Sequence, residues 1–229
     1  MSELTYISEN LEAVRGEIAA AEQDAAREGK TKMIVAVKYG EAEELSALLS
    51  LGATAVGENR VQQLLEHWPL FEKSGAEVHF IGSLQTNKVK YIIDKVAMIH
   101  SVDSLRLAAE IDKRAAARGT VMDVLVEING AREEAKSGVM PEDVEALCKE
   151  VQRLPHLRLR GFMTMGPRFD SKEEYVAYFN SVRAVGDAVW CALGRVGEPL
   201  YSMGMSESFG AAIVAGSDMI RVGRRLFQK

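Results

Sequence analysis

Three short stretches hold the residues best suited to chemistry in this chain of 229 residues. In "IVAVKYGEAEE", residues 34–44, an apolar β-branched run ends on Lys38, with Gly40 behind it and helix-forming acidic residues after that. The ordinary reason for such a lysine is that the strand has reached solvent and the ammonium extends into water. In "SMGMSES", Ser202, Gly204 and Ser206 fall within five positions, and Ser206 is placed as the N-cap of the helix "ESFGAAIVAG". Free N–H groups and a hydroxyl at a helix N-terminus attract anions. In "IRVGRR", Arg221 stands at a strand end, followed by Gly223, whose backbone can approach a ligand closely, and by Arg224. An amine beside an anion site is the equipment for forming a Schiff base with a phosphorylated carbonyl compound.

The elements that must bring these stretches together are legible as an alternation. Residues 6–29 carry Ile7, Leu11, Val14, Ile18 and Ala21 at helical spacing, which predicts a leading helix within residues 1–30. Short apolar runs then alternate with longer amphipathic stretches. The predicted strands are "MIVAV" (33–37), "TAVG" (54–57), "VHFIG" (78–82), "AMIHS" (97–101), "VMDVLVEI" (121–128), "LRLRGFM" (157–163), "PLYSM" (199–203) and "DMIRV" (218–222). Each is expected to be separated from the next by a helix, with no linker dividing them, so residues 1–229 read as one domain. The fold class expected is α/β, a single (β/α)8 barrel of the triosephosphate isomerase type. An open doubly wound sheet is the rival; the short tail "GRRLFQK" leaves no room for a full closing helix, and the spare leading helix could cover that gap.

In such a barrel the functional groups lie at the carboxyl ends of the strands, and phosphate sits on the loops after strands seven and eight. That rule places Lys38 at the mouth and both "SMGMSES" and "IRVGRR" at the phosphate position. Glu58 and Asn59 in "GENR", and Asn129 and Lys136 in "NGAREEAKSG", are expected on the same polar rim. His79, at the start of strand three, is expected to be structural. A partly desolvated Lys38 would favour its neutral, nucleophilic form. Pyridoxal 5′-phosphate meets both requirements, with its aldehyde on Lys38, its phosphate on Ser206 and the amides of Gly223 and Arg224, and Arg221 beside the ring nitrogen. A guanidinium there keeps that nitrogen unprotonated and weakens the ring as an electron sink.

Composition removes several other classes. The net charge is −5 and the basic residues are scattered, which argues against nucleic acid as a partner. No apolar run approaches the roughly 20 residues of a membrane span, and "MSELTYISEN" lacks the pattern of a secretory signal, so a cytoplasmic location is expected. Cys148 and Cys191 lack the spacing of a metal or redox pair and read as reduced core thiols. Nothing argues for a helical dimer seam, and a monomer is expected.

The segments "VAVKYG", "GENRVQQLLEH", "HFIGSLQTNKVKYI", "IHSVDS", "VEINGAREEAKSG", "LRGFMTMGP" and "SMGMSESFGAAIVAGSDMIRVGRRLF" resemble, in order and over nearly the whole chain after the leading helix, the pyridoxal phosphate homeostasis proteins. The resemblance implies a barrel similar to the N-terminal domain of alanine racemase. It also implies pyridoxal phosphate on Lys38 without established turnover, and a role in cellular vitamin B6 supply, with apo-enzymes that need the cofactor as possible recipients. It carries Asn59, Ser202, Met203, Ser206, Arg221 and Gly223 over as cofactor contacts. The chain departs from the family pattern at Val37 and Tyr39 around the lysine, at Ser208 in place of an acidic residue, and at Arg224 in place of a hydroxyl residue. Two other functions share these residues. A pyridoxal phosphate racemase would need a second acid/base opposite Lys38, for which adjacent Tyr39 is poorly placed. A cofactor-free Schiff-base aldolase for sugar phosphates could use Lys38 or Lys136. Whether Lys88 or Lys136 takes a second cofactor molecule stays open at this level.

Overall fold

Residues 4–133 and 135–229 are described by the computed structural model. Eight parallel strands close into a barrel in chain order, β8 pairing with β1. Helix α1 (Thr5–Asp24) leads into β1 (Lys32–Ala36), α2 (Ala42–Ser50), β2 (Ala55–Glu58), α3 (Val61–Ser74) and β3 (Glu77–Phe80). Then come β4 (Met98–Val102), α4 (Leu105–Ala117), β5 (Met122–Glu127), α5 (Val144–Gln152) and β6 (Leu157–Met163). The chain finishes with α6 (Lys172–Ala192), β7 (Leu200–Met205), α7 (Phe209–Val214) and β8 (Met219–Val222).

The expected barrel is therefore present, with corrections in its connections. Between β3 and β4 the helix expected is only a 3-10 segment, Thr86–Tyr91, six residues being too few to repay the nucleation of a free-standing α-helix. The leading helix stops at Asp24 rather than continuing to 29, because the Glu22 carboxylate turns inward to accept the Gly29 and Thr31 amides at 3.0 and 2.7 Å. Strand β1 ends one residue earlier than expected, and Val37–Tyr39 forms a 3-10 turn. Cys148 is buried, its thiol pushed up to about 12 by desolvation, but Cys191 is exposed rather than in the core.

Alternation along the strands builds two separate cores. Ile34, Ala55, Met98, Leu125, Met163 and Met219 point into the barrel and close it with an apolar layer. The outward residues, such as Val35, Val56, Val124 and Val222, form the larger core against the helices, joined by Ile7, Leu11, Val14 and Ile18 of α1. The barrel interior is not apolar throughout: His79, His100, Glu127, Ser202 and Arg221 are all buried.

Candidate functional site

A cavity of about 440 Å³ opens at the carboxyl ends of the strands, within the size range of small-molecule sites. Lys38, Tyr39, Asn59, Ser206, Arg221, Gly223 and Arg224 all line it. The 3-10 turn after β1 swings Lys38 over the mouth, where Nζ lies 4.8 Å from the centroid of the Tyr39 ring. The expected desolvation of Lys38 is not found, because its side chain is exposed. Burial acts to raise the Tyr39 phenol, but hydrogen bonding and charge from Lys38 and then Arg224 outweigh it and leave the phenol below the ordinary tyrosine value.

Gly223 is needed for close approach. A Cβ there would come within 2.7 Å of both the Ala36 carbonyl oxygen and the Tyr39 ring. Its N–H donates to Ser206 Oγ at 3.3 Å, so the loops after β7 and β8 meet at a hydroxyl and an amide. Ser206 is not the N-cap expected. Helix α7 begins at Phe209 with Ser208 in the cap position. The Met205 N–H donates to Ser208 Oγ at 3.1 Å and the Ser208 N–H to the Met205 carbonyl at 2.9 Å, so a closed turn takes up these residues before the helix can start. This turn frees Ser206 to face Gly223. Gly204, at φ 90°, sits where β7 slips register against β8.

Arg221 is 4% exposed and heavily bonded. Its Nη1 donates to the Ser202 carbonyl at 2.8 Å and to Ser202 Oγ at 2.6 Å, and its Nη2 to the Thr164 carbonyl at 2.8 Å. Desolvation brings its pKa down to about 10, with Glu127 acting in the opposite direction, so it stays charged at neutral pH. Ser202 lies beneath Arg221 and does not itself line the cavity. Met203 points the other way, into the core between barrel and helices. Arg224 is held by Glu207 at 2.8 Å.

The rest of the polar rim divides. Asn59 lines the cavity, and its Oδ1 is buried without a protein partner among the described residues. Glu58, expected beside it, faces outward instead. It accepts from or shares a proton with His67 Nδ1 of α3 at 2.7 Å, and burial pushes its carboxyl up. Asn129 folds its own loop, bonding the Glu133 N–H and carbonyl, and Lys136 pairs with Glu133 at 2.7 Å on a different groove. Lys88 stands near the Tyr91 ring, outside the cavity. His79 is fully buried inside the barrel. The sequence reading missed Met165 and Arg168, which wall the cavity from the β6–α6 connection, and Tyr175 at the start of α6; the signal available for the first two was "MTMGPRF" at the end of a predicted strand. It also missed Glu127, whose carboxyl is raised to about 7 by burial, Arg221 opposing and Asp103 assisting.

A family profile described as alanine racemase, N-terminal domain, matches residues 10–228. A curated relative from Aquifex aeolicus, named pyridoxal phosphate homeostasis protein, is 39% identical over 208 residues, which is 91% of this chain and 91% of the relative. Among solved structures, PipY of Synechococcus elongatus PCC7942 with PLP bound superposes with a TM-score of 0.85 at 26% identity, covering 97% of this chain and all of that one. Alanine racemase from Corynebacterium glutamicum shares the fold at a TM-score of 0.73 and 17% identity, with 99% of this chain aligned to 61% of the racemase.

Proposed function

The chain belongs to the alanine racemase N-terminal domain family and, within it, to the pyridoxal phosphate homeostasis proteins, and on that premise we propose that it binds pyridoxal 5′-phosphate on Lys38 and serves intracellular vitamin B6 homeostasis. The observation that carries the reading is the convergence of a lysine amine, a donor cradle and a buried guanidinium on one cavity. Bound there, the cofactor supplies an aldehyde that condenses with an amine and a conjugated ring that accepts electrons. The chain supplies the rest. Lys38 Nζ is the covalent anchor. The Ser206 hydroxyl, which accepts from the Gly223 N–H, would donate to the phosphate, with Arg224 adding charge. Arg221, donor-only and charged, would face the ring nitrogen without giving up a proton. Asn59 would wall the ligand's site, Ser202 sets Arg221 from below, and Met203 shapes β7 from the outer core.

Residues 1–229 act as one domain and one monomer, handing cofactor to apo-enzymes in the cytoplasm rather than turning over a substrate. Lys38 and Tyr39 are consecutive and in contact, so they serve one side of a bound substrate, which disfavours a racemase needing bases on two faces. No helix among the described residues is long and apolar enough to cross a membrane.

Purified protein incubated with pyridoxal phosphate is expected to show a visible absorbance band. Borohydride reduction and peptide mass mapping should then fix the pyridoxyl mass on Lys38, and Lys38→Met should abolish both signals. A colourless, unlabelled protein overturns the reading.

A further inference from the structure

Arg221 is the first member of a chain of polar groups that continues down through the barrel. Ser202 Oγ, which receives Arg221 Nη1 at 2.6 Å, is also 3.0 Å from His100 Nδ1. His100 Nε2 is 2.8 Å from His79 Nδ1. His79 Nε2 in turn lies 3.1 Å from Glu77 Oε1, an ion-pair distance without the alignment of a good hydrogen bond. Glu77 closes on Lys32 Nζ at 2.8 Å, at the amino ends of β1 and β3, opposite the cavity. Both histidines are fully buried.

The direction of every bond follows from its ends. A guanidinium can only donate. Ser202 Oγ therefore accepts from Arg221, and its own hydrogen has His100 Nδ1 as acceptor. An imidazole that accepts at Nδ1 carries its proton at Nε2, so His100 donates to His79 Nδ1, and His79 presents its Nε2–H to the Glu77 carboxylate. The opposite polarity fails at both ends. It would strand the Ser202 hydrogen in the core and set a histidine lone pair against a carboxylate, each a cost in a low-dielectric interior. Burial, followed by the positive charges of Arg221 and Lys32, holds His100 neutral, as the chain requires.

We propose that His100 and His79 are positioning residues for Arg221, forming with Ser202 a one-directional hydrogen-bond chain that runs along the barrel axis from the cofactor cavity to His79, which faces the Lys32–Glu77 pair. The chain fixes the Ser202 rotor, and with it the guanidinium that faces the ligand ring. What the cavity holds rests on the pyridoxal phosphate reading; the chain itself does not.

Two measurements test it. Long-range proton–nitrogen NMR of the ligand-free protein at pH 7 is expected to show both imidazoles neutral and protonated at Nε2; either ring protonated at Nδ1, alone or as the cation, overturns the chain. Pyridoxal phosphate titrations followed by visible absorbance then compare wild type with His100→Leu, His100→Gln and Ser202→Ala. Losing the chain in His100→Leu, or in Ser202→Ala if the leucine variant does not fold, should weaken binding about tenfold, the scale of a hydrogen bond to a charged group, and shift the band. Glutamine, which can accept from Ser202 and donate to His79, should restore both. Wild-type affinity and spectrum in the broken variants overturn the positioning role. A wild type that takes up no pyridoxal phosphate overturns the cofactor reading instead, and the tautomers still decide the chain.

Discussion

At the scale of single residues, Tyr39 and Arg224 meet at one corner of the cavity, while neighbouring Val37 is buried in the outer core. Tyr39 packs against Gly223 and Lys38, and Arg224 follows directly on Gly223. Arg224 is engaged by Glu207 at 2.8 Å, and both groups are roughly half exposed. Such a pair is worth at most about 1 kcal/mol. Glu207→Gln should release Arg224 toward the phosphate and tighten pyridoxal phosphate by up to about fivefold, more at low salt than at high. Unchanged or weaker binding in that variant would mean that Arg224 does not reach the phosphate. Gly223→Ala makes the converse case. Its new methyl would meet the Ala36 carbonyl and the Tyr39 ring at 2.7 Å, so the β8 loop must shift. A stability loss of about 1–3 kcal/mol by urea unfolding, with clearly weakened cofactor binding, is expected.

At the scale of elements, α1 is part of the barrel's support while contributing no residue to the cavity lining. Its buried stripe packs into the outer core and against α7, the helix that follows the Ser206 turn. Leu11→Ala should cost about 2–5 kcal/mol in denaturant unfolding, as for other large-to-small changes in a core. The visible band of the folded, loaded protein should stay in place; a displaced band would mean that α1 shapes the site directly. This helix was legible from its spacing alone, and so were the eight strands, because apolar runs bounded by turn residues signal burial wherever they pair. What was not legible depended on one-residue parity or on register. Glu58 and Asn59 are neighbours in "GENR", yet one faces α3 and the other the cavity. Ser206 and Ser208 are equally good caps on paper, and a Met205–Ser208 turn chose between them. His79 and His100 meet only because β3 and β4 pair with His79 opposite Met98, which sets His100 at the next inward-facing position toward the mouth.

At the scale of the whole molecule, the buried titratable groups of the barrel interior set how stability responds to pH, and two of them oppose each other. Glu127 is raised from an ordinary value of 4.5 to about 7, chiefly by burial. Between those two values the folded state keeps a proton that the unfolded chain has released, so this group makes stability fall as pH rises. His100 is pushed well below 6.5 by burial. Below 6.5 the unfolded chain takes up a proton that the folded state refuses, so this group makes stability rise with pH up to that point. Between about pH 4.5 and 6.5 the two contributions act in opposite directions. Glu127→Gln removes one side of the balance. The variant should acquire an upward slope of about 1.4 kcal/mol per pH unit over that window relative to wild type. Summed over the whole shift, the difference between variant and wild type should grow by about 3 kcal/mol in the variant's favour from pH 4 to pH 8. Urea unfolding at half-unit pH intervals reads this directly. Parallel profiles for the two proteins would mean that Glu127 ionises in the barrel as readily as in water, and that Arg221, the positive neighbour acting against burial there, neutralises its carboxylate fully.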